Sequence, residues 1–544
     1  MEKNLKCPIC GERHERLVHQ FHQDVDAPIV SILAEEAPAN WQPAVGGACT
    51  RCIDQAQLEL QLKALAGSGD PAEVNGYKIL PTPTRLMAVP DLTGKGVTIC
   101  FIDSGFYFHP DLIYPKNRIL KILDITKPDR GEDYFSQPHN SSWHGTMTSV
   151  VCAGNGFLSN GMYRGIASEA NLVLLKVTDD EGKIHEENIT KALEWAIENR
   201  KEYGIKIINL SVTGDDNVSH EKNKLDRAVE KAVKKGISVV AAAGNAPNAP
   251  ILPPANSPHA ITVGGLDDRN TLDPLLNTLY HSTFGKTIDQ FQKPDIIAPA
   301  IWVAAPILPK TKEQREAEAF FNIYQAGGKA IHAVLANLIR RTSLDIGLLS
   351  QDEGKIREAI EKLIGERKYI SPHYQHADGT SFAAPIVCSV IAQMLEANPA
   401  LDPYTIREIL FVTARKLPGE DAERQGWGVI RPEHAVQMAS GKKLQVYPDI
   451  TPVIDYRNME VSFYLHHDVA KEVVVAGDFN DWDEMDLPLE MAEGGKWEAK
   501  FSFGQKGVYR YKFLVNKSDW INDPRNLFQE EDGFNGFNSK LIIF

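Results

Sequence analysis

Long apolar runs, an excess of basic charge and a dense set of cysteines are all missing from this 544-residue chain. No run of about 18 apolar residues occurs, so we expect no membrane-spanning helix. Asp and Glu number 72 against 58 Lys and Arg, and this net charge of −14 argues against a dedicated nucleic-acid binder. The opening stretch M-E-K-N-L-K-C-P-I-C-G has no apolar core of signal-peptide length. These absences predict a cytoplasmic location, with neither membrane nor nucleic acid as a partner.

Seven cysteines are too few, and odd in number, for a disulfide framework. Three lie in apolar runs and are expected to be buried core residues: Cys100, Cys152 and Cys388. The other four form two C-x-x-C pairs: Cys7 with Cys10, and Cys49 with Cys52. Two thiolates three residues apart can chelate one ion, and two such pairs complete the tetrahedral sulfur shell that suits zinc. We therefore predict one structural Zn²⁺ and no organic cofactor.

The metal assignment leaves alternatives open. Three histidines near the first pair could replace a cysteine as ligand: His14, His19 and His22. A redox pair or an iron site would use the same C-x-x-C spacing. The segment resembles zinc ribbons, which implies a structural role and a surface that could dock a partner. The acidic net charge favours a partner protein over nucleic acid.

The character of the sequence changes along the chain. Residues 1–70 hold the paired cysteines and a helical stretch, and residues 71–85 are predicted to be a linker. Residues 86–445 alternate continuous apolar strands with amphipathic helices, which indicates an α/β domain with a parallel sheet flanked by helices. A helical insertion occupies about 303–376. Residues 446–544 alternate apolar and polar positions and are rich in aromatics, which predicts an all-β sandwich.

Short motifs place reactive side chains at the ends of apolar segments. F-I-D-S-G puts Asp103 at the end of a strand, W-H-G-T puts His144 at a helix start, and D-G-T-S-F-A-A-P puts Ser381 at another. A serine hydroxyl needs an imidazole to take its proton, and a carboxylate to hold that imidazole in the right tautomer. In A-A-A-G-N, Asn245 follows a buried strand, and its amide can donate to an oxyanion. Pro385 is expected in the first turn or so of the serine helix, where a missing N–H costs least.

Four residues occur in one order along the chain: Asp103, His144, Asn245 and Ser381. This order, with D-S-G, H-G-T, A-G-N and G-T-S-x-A-A-P around the four residues, resembles the subtilisin-like serine proteases (subtilases) over about residues 86–440. The resemblance implies that Asp103 orients the imidazole, that His144 acts as general base and then general acid, and that Ser381 becomes the acyl-enzyme. Asn245 and the Ser381 backbone N–H would form the oxyanion hole.

The same resemblance makes I-N-L-S-V-T-G (208–214) the strand that pairs with extended substrate and lines the first specificity pocket. The candidate substrate-binding residues are Leu210, Ser211, Val212, Thr213 and Gly214. Subtilases usually carry S-L-G here, and this chain has valine and threonine in place of leucine and glycine. A β-branched residue in place of glycine predicts a narrower or reshaped pocket entrance.

Nearly eighty residues separate K-P-D-I-I-A-P-A (293–300) from Gly379, where subtilases usually have a short connection. Two stretches of this insertion have helical spacing: F-F-N-I-Y-Q-A-G-G-K-A-I-H-A-V-L-A-N-L-I-R-R and I-R-E-A-I-E-K-L-I-G-E-R. The insertion is either a surface elaboration packed on the catalytic domain, or a lid or exosite that limits substrate access.

The C-terminal segment carries V-V-V-A-G-D-F-N-D-W, V-Y-R-Y-K-F-L-V and G-F-N-S-K-L. It resembles the glycogen-binding (early-set) modules of the AMP-activated protein kinase beta subunit and of branching and debranching enzymes, over about residues 455–544. The positions that match their α-glucan contacts are Trp482, Lys512, Trp520 and Asn538. Indole faces can stack on glucose rings, and amide or ammonium donors can bind hydroxyls. Alternatively, both tryptophans are core or interdomain contacts.

The sequence as a whole supports two functions. The first is an intracellular serine endopeptidase that hydrolyses protein or peptide substrates, with accessory domains for targeting or regulation. The alternative is a catalytically silent scaffold that binds a protein or α-glucan through its terminal domains. The complete set of triad and oxyanion residues favours the first.

Overall fold

The computed structural model describes residues 5–56 with short gaps, 79–441 except 327 and 329, and 451–543 with short gaps. Three sequence predictions lie wholly or mostly outside the described residues. These are the helical stretch after Cys52, the first part of the linker over 71–78, and the domain boundary near 445.

A small N-terminal unit is built around the paired cysteines. Its elements are β1 (Leu5–Lys6), β2 (Arg13–His14), α1 (Ala27–Glu36) and α2 (Pro43–Gly46). β1 and β2 form an antiparallel hairpin. Ile32 and Leu33 of α1 pack into one core with Ala48 and Ala56, and three of the four cysteines are buried there. So few apolar side chains make a marginal core, which is the situation in which small domains depend on a metal.

An eight-stranded sheet forms the centre of the largest domain. Its strands are β3 (Thr98–Asp103), β4 (Ile119–Asp124), β5 (Asn171–Lys176), β6 (Ile205–Leu210), β7 (Ser238–Ala242), β8 (Ile261–Asp267), β9 (Thr278–Leu279) and β12 (Ile296–Pro299). A separate hairpin pairs β10 (Gly285–Lys286) with β11 (Gln292–Lys293). The order in the sheet is β12-β8-β7-β6-β3-β5-β4; all these pairs are parallel, and β9 adds antiparallel to β8. The order reverses at β3, so the crevice where ligands bind in such sheets lies beside the carboxyl end of β3.

Helices cover both faces of this sheet, as the sequence predicts. They are α3 (Thr82–Arg85), α4 (Pro110–Ile113), α5 (Ser142–Ala153), α6 (Glu186–Glu198), α7 (Lys224–Lys234), α11 (Thr380–Ala397), α12 (Pro403–Thr413), α13 (Ala422–Gln425) and α14 (Pro432–Ala439). α5, α11, α12 and α14 pack on one face, and α6 and α7 pack on the other. Both faces of the central strands are therefore buried, which explains their continuous apolar sequences.

The core helix α11 is apolar nearly all round. Within the described part of the chain it is the one helix long and apolar enough to cross a membrane by length and composition, and 83% of it is buried. A helix packed on all sides inside a large domain has this composition. Its hydropathy is thus accounted for by its place in the fold.

The insertion forms a compact lobe between two strands. Its elements are β13 (Val303–Pro306), α8 (Lys312–Gln325), α9 (Ala330–Leu338), α10 (Glu353–Glu366), β14 (Tyr369–Ser371) and β15 (Tyr374–Ala377). β13 pairs with β15, so the chain leaves and returns side by side. The three helices share a core of their own that includes Phe320, Leu335 and Ile360. β15 leads directly into the segment that carries Ser381.

Two antiparallel sheets make up the C-terminal domain. Their strands are β16 (Val453–Asp455), β17 (Glu460–His466), β18 (Val473–Gly477), β19 (Glu490–Ala492), β20 (Lys496–Ser502), β21 (Gly507–Val515), β22 (Asp519–Ile521), β23 (Gln529–Glu531) and β24 (Phe537–Ile543). One sheet has the order β16-β17-β20-β19, and the other has β18-β21-β24-β23 with β22 on β21. Phe463, Tyr511 and Phe513 lie in the shared core. The domain is the all-β structure that the period-two pattern predicts.

Residues 79–85, which the sequence assigns to a linker, are packed on the α/β domain. Ile79, Leu80 and Arg85 are buried. The Arg85 guanidinium forms an ion pair with Asp268 and donates to the carbonyls of residues 301 and 302. Glycine and proline content alone does not reveal this, because the anchoring partners lie far along the chain.

Candidate active site

Asp103 and His144 form a directly bonded pair at the carboxyl end of β3. His144 Nδ1 lies 2.7 Å from Asp103 Oδ1. The carboxylate also accepts from the Ser104 backbone N–H at 2.6 Å and from Thr148 Oγ1 at 3.0 Å. A Cβ at Gly145 would lie 2.3 Å from the Gly105 carbonyl oxygen, so only glycine lets α5 approach β3 closely enough for this pair.

The environment of His144 favours its use as a base. Burial lowers the pKa of His144, but the charge of Asp103 and its hydrogen bond outweigh burial and leave the pKa above its usual value. The side chain of His144 keeps 20% of its surface exposed, and that of Asp103 is fully buried. Trp143, which is half exposed, packs edge-on against the imidazole with ring centroids 5.2 Å apart. The imidazole is thus held on one side by a buried anion and stays open to the cleft on another.

Ser381 lies at the start of α11. Its own backbone carbonyl lacks the hydrogen bond that a helix normally provides. Its carbonyl would normally accept from the N–H four residues on, which is Pro385, and proline has none. Ser211 Oγ donates to this carbonyl at 3.0 Å instead. Pro385 is the sixth residue of α11, inside the helix, so the expectation that it falls in the first turn or so, where a missing N–H costs least, is wrong. The missing N–H does free a carbonyl, and a side chain from the substrate-binding segment satisfies it.

Ser381 and His144 are neighbours, but no direct hydrogen bond joins them. The rings of His144 and Phe382 lie 6.1 Å apart, which places the imidazole beside the start of α11. Both residues are among those described, and no hydrogen bond within 3.5 Å connects Ser381 Oγ to the imidazole. Such contacts are often long in proteases without substrate and tighten in the complex.

Asn245 is oriented by the residue that precedes Ser381. Its Oδ1 accepts from the Thr380 backbone N–H at 2.9 Å and from Thr380 Oγ1 at 3.2 Å. This fixes Oδ1 as the acceptor, so Nδ2 is the free donor of the amide. Asn245 is exposed, and Gly379, with φ of 138°, carries no side chain that would shield it. Nδ2 and the N-terminus of α11 can therefore act on the same developing negative charge.

The segment 210–214 leaves the end of β6 beside Ser381. Leu210 and Val212 are buried in the core beneath α6 and α7, and Thr213 is exposed. Ser211 uses its hydroxyl internally, on the Ser381 carbonyl. The Gly214 N–H donates to the Pro253 carbonyl at 2.7 Å. Of these five residues, only Thr213 is exposed, and the effect of its side chain on the pocket stays a prediction.

The insertion contacts the segment just before the nucleophile. Lys368, which follows α10, forms an ion pair with Asp378, three residues before Ser381. Asp378 Oδ1 also accepts from the Trp302 backbone N–H at 3.3 Å. Burial alone would raise the pKa of Asp378, but a hydrogen bond with the His376 side chain, together with Lys368 and the Trp302 N–H, lowers it to about 2. A second anchor is the buried Tyr374 hydroxyl, which donates to Asp111 at 2.5 Å.

The four N-terminal cysteines meet at one point. The sulfur atoms of Cys7, Cys10, Cys49 and Cys52 all lie within 4.8 Å of one another. Cys7 and Cys52 are 4.0 Å apart, and Cys10 and Cys49 are 3.8 Å apart. A tetrahedral site with Zn–S bonds of about 2.3 Å requires sulfurs about 3.8 Å apart. The cluster could therefore hold a metal ion. His14 Nε2 is 3.7 Å from the Cys10 sulfur, whereas His22 lies outside the described residues.

The four predicted glucan contacts lie on one face of the β18-β21-β24-β23 sheet. The pairing of β21 with β24 ends at Tyr511 and Ser539, which lie opposite each other. Lys512 and Asn538 are the next residues beyond this pair and therefore also lie opposite each other. Tyr511 faces the core, and Lys512 therefore faces outward. Trp520 pairs with Leu514 on this outer face, and its ring centroid is 6.1 Å from that of Trp482. Lys512 is not free, because it forms an ion pair with Asp532 at 2.5 Å.

Sequence reasoning missed the side chains that hold these groups in place. Thr148, Thr380 and the Lys368–Asp378 pair carry no local pattern that would single them out. Thr148 is four residues after His144 and so shares its helix face, which is the one signal that could have found it. The Lys368–Asp378 pair depends on how the insertion folds back, which no motif encodes.

A carboxylate–imidazole pair beside a helix-borne serine, at the carboxyl edge of a doubly wound sheet, defines a serine peptidase of the α/β class. Residues 94–428 match the model of the Subtilase family, and residues 453–526 match that of Carbohydrate-binding module 48 (Isoamylase N-terminal domain). The chain belongs to the subtilase family. It is a serine-type endopeptidase with a C-terminal domain of the carbohydrate-binding module 48 type, as the sequence motifs predict.

Several known proteins are similar to the chain. Serine protease AprX of Bacillus subtilis (strain 168) is 31% identical over 353 residues, which cover 63% of this chain and 67% of AprX. The major intracellular serine protease of the same organism is 34% identical over 172 residues, or 31% of this chain and 49% of that protein. One solved structure, an S41 psychrophilic protease, covers 62% of this chain and 92% of its own at 21% identity, with a TM-score of 0.42.

Proposed function

We propose that the chain hydrolyses peptide bonds through an Asp103–His144–Ser381 triad. The observation that carries this proposal is the 2.7 Å bond between His144 Nδ1 and Asp103 Oδ1 at the edge of the sheet where α11 begins. An ionised carboxylate only accepts, so Nδ1 carries the proton and Nε2 of the neutral imidazole is a free base. The same bond aligns the ring for proton transfer.

The residues divide the reaction as follows. His144 Nε2 takes the proton of Ser381 Oγ as this oxygen attacks the scissile carbonyl carbon, and the carbonyl oxygen becomes an oxyanion. Asn245 Nδ2 and the Ser381 backbone N–H donate to that oxyanion. His144 then gives its proton to the leaving amine, and the C–N bond breaks to leave the acyl-enzyme. Water, deprotonated by His144, attacks the ester, and Ser381 regains its proton.

Hydrolysis of an unstructured protein such as casein tests the proposal. Ser381→Ala should abolish cleavage, whereas Ser440→Ala, at the end of α14, should cleave as fast as wild type. Equal cleavage by Ser381→Ala would reject the assignment of the nucleophile. Failure of the wild type to cleave any peptide, with the fold intact, would instead support the scaffold function.

We propose that the cysteine cluster binds a structural Zn²⁺. The sulfur spacing and the all-thiolate donor set support zinc, which has no redox chemistry and accepts tetrahedral sulfur coordination. One zinc per chain is expected in the wild type and none in Cys49→Ser. Cys100→Ala removes a thiol from β3 and should keep the full zinc content. If Cys49→Ser retains its zinc, this part of the account fails.

We propose that the C-terminal domain binds α-glucan and that the protein acts inside the cell. The shared outer face of Trp482, Lys512, Trp520 and Asn538 supports the binding of α-glucan.

The proposal that the protein acts inside the cell is supported by a similar protein that is named an intracellular serine protease. In addition, all seven cysteines are free of disulfide bonds. Free cysteines are expected in a reducing compartment. Fractionation of native cells with an antibody against the chain tests the location.

A further inference from the structure

Arg85 makes two sets of hydrogen bonds from a buried position. Its side chain is fully buried, and that of its partner Asp268 is 5% exposed. The guanidinium donates to both carboxylate oxygens of Asp268, at 2.7 and 2.5 Å, and this bidentate pair already balances its charge. It also donates to the backbone carbonyls of Trp302 at 2.5 Å and of Ile301 at 2.9 Å. Four of its five N–H groups are therefore used, and two of them hold the backbone just before β13.

The backbone that Arg85 holds is strained. Trp302 has φ of 59°, in the left-handed region that a bulky side chain rarely adopts. Such a residue keeps this conformation only where its surroundings enforce it. Its carbonyl accepts from Arg85, and its ring packs against that of His376 with centroids 4.9 Å apart. Its N–H donates to Asp378 Oδ1 at 3.3 Å. Restraints from Arg85 and from the segment before the nucleophile therefore meet at Trp302.

The same backbone supports the residue that caps the serine helix. The Ala300 carbonyl accepts from the N–H of Gly379 at 2.7 Å, and Gly379 is the N-cap of α11. Gly379 also borders the oxyanion donor, because a Cβ there would lie 3.5 Å from Asn245 Nδ2. Ser381 is two residues further along the chain. A shift of residues 300–302 would therefore displace the cap of the helix that carries Ser381.

We propose that Arg85 is a positioning residue for hydrolysis, which holds Trp302 in its left-handed conformation and so fixes Gly379 at the start of the serine helix. This inference rests on the proposed triad, because it concerns the placement of Ser381. A segment that precedes β3 and lies outside the sheet thereby becomes part of the support of the active site. Lysine cannot replace the guanidinium, because one ammonium cannot span a carboxylate and two carbonyl groups.

The rate at which a fluorophosphonate labels Ser381 in the full-length protein tests the proposal. Arg85→Lys should be labelled about tenfold more slowly than the wild type, because a small misplacement of a nucleophile slows its reaction by up to about 10²-fold. On a peptide substrate, kcat should fall by a similar factor with KM little changed. A wild-type labelling rate in folded Arg85→Lys would overturn the proposal and leave Arg85 as an anchor of the chain.

Arg118→Lys is the matched control. Arg118 and Arg85 are each 6% exposed. Arg118 also donates to two backbone carbonyls, those of Ala170 at 3.0 Å and Asp111 at 2.7 Å, which lie outside residues 300–302. The substitution should lower the melting temperature of the protein and leave the labelling rate unchanged. An equal slowing in both variants would assign the effect of Arg85 to a general loss of stability.

Amide hydrogen exchange gives a second readout that does not depend on activity. In Arg85→Lys, the peptides that contain Trp302 and Gly379 should exchange faster than in the wild type, and in Arg118→Lys they should not. If Arg85→Lys does not fold, Asp268→Asn should show the same changes to a smaller degree, because it removes the charge of the partner and keeps its size. No labelling of the wild type would reject the triad itself, whereas unchanged exchange would reject the support by Arg85.

Discussion

His144 is the residue whose protonation sets the pH response of the site. The imidazole must be neutral to accept the serine proton, and its pKa lies above the usual value because of Asp103. Activity should therefore fall as the pH drops through a midpoint above about 6.5. Asp103→Asn should lower kcat about 10⁴-fold and move this midpoint to lower pH. Profiles of kcat/KM against pH, which report the free enzyme, check the prediction for the two proteins; an unmoved midpoint would show that Asp103 does not set the pKa.

Ser211 links the substrate-binding segment to the nucleophile, and its removal should cost stability. Ser211→Ala leaves the Ser381 carbonyl without a donor, because Pro385 cannot supply one. We expect a loss of about 1–3 kcal/mol in the free energy of unfolding. Urea denaturation measures it, with Ser440→Ala as the control near zero. A Ser211→Ala protein as stable as the wild type would mean that water reaches this carbonyl.

At the scale of elements, the insertion contacts the segment before the nucleophile through, among other links, the Lys368–Asp378 ion pair. Lys368→Met removes one of the partners of Asp378, which lies between β15 and α11, three residues before Ser381. Since Lys368 is 46% exposed, the stability should change by less than about 1 kcal/mol. By contrast, kcat should fall by up to about 10²-fold, because the nucleophile is less well placed.

Lys362→Met is the control for this prediction. Lys362 lies on α10, the helix that precedes Lys368, and its ion pair is with Glu366 of the same helix and not with Asp378. It should retain wild-type kcat. Equal kcat for both variants and the wild type would assign the insertion a packing role only.

The sequence predicts best the strands that are buried on both faces, because burial on both faces produces a continuous apolar run. β3, β5, β6, β7 and β8 are buried on both faces and read as continuous apolar runs. β4 lies at the sheet edge and mixes exposed and buried positions, so its sequence does not form such a continuous apolar run. The single helical stretch predicted after Phe320 is two helices, α8 and α9, that break near Gly328, where φ is 56°.

The candidate active site could be predicted only in part, because local motifs reveal some of its residues and contacts between distant residues place the others. Asp103, His144, Asn245 and Ser381 each lie in a short motif that local sequence reveals. The contact between Ser211 and Ser381 joins residues 170 positions apart, and that between Arg85 and Asp268 joins residues 183 apart. Such contacts depend on the register of distant elements, and one sequence contains no local signal for them.

At the scale of the whole molecule, the terminal domains should work independently of hydrolysis. Trp520 is 40% exposed and shares its face with Trp482. Trp520→Ala should weaken retention on glycogen by about 1–3 kcal/mol if the indole stacks on sugar, and leave casein cleavage unchanged. Phe534→Ala, which alters an exposed aromatic on the same domain, is the control. Equal retention of wild type and Trp520→Ala would make the tryptophans structural.

The account rests on Ser381 as a nucleophile activated by His144, and covalent labelling tests this most directly. A fluorophosphonate reacts only with an activated serine, and intact-mass and peptide mass spectrometry locate the adduct. The account predicts one adduct per chain, on Ser381, and none in His144→Ala. No adduct on folded wild-type protein, or equal labelling of His144→Ala, would contradict it.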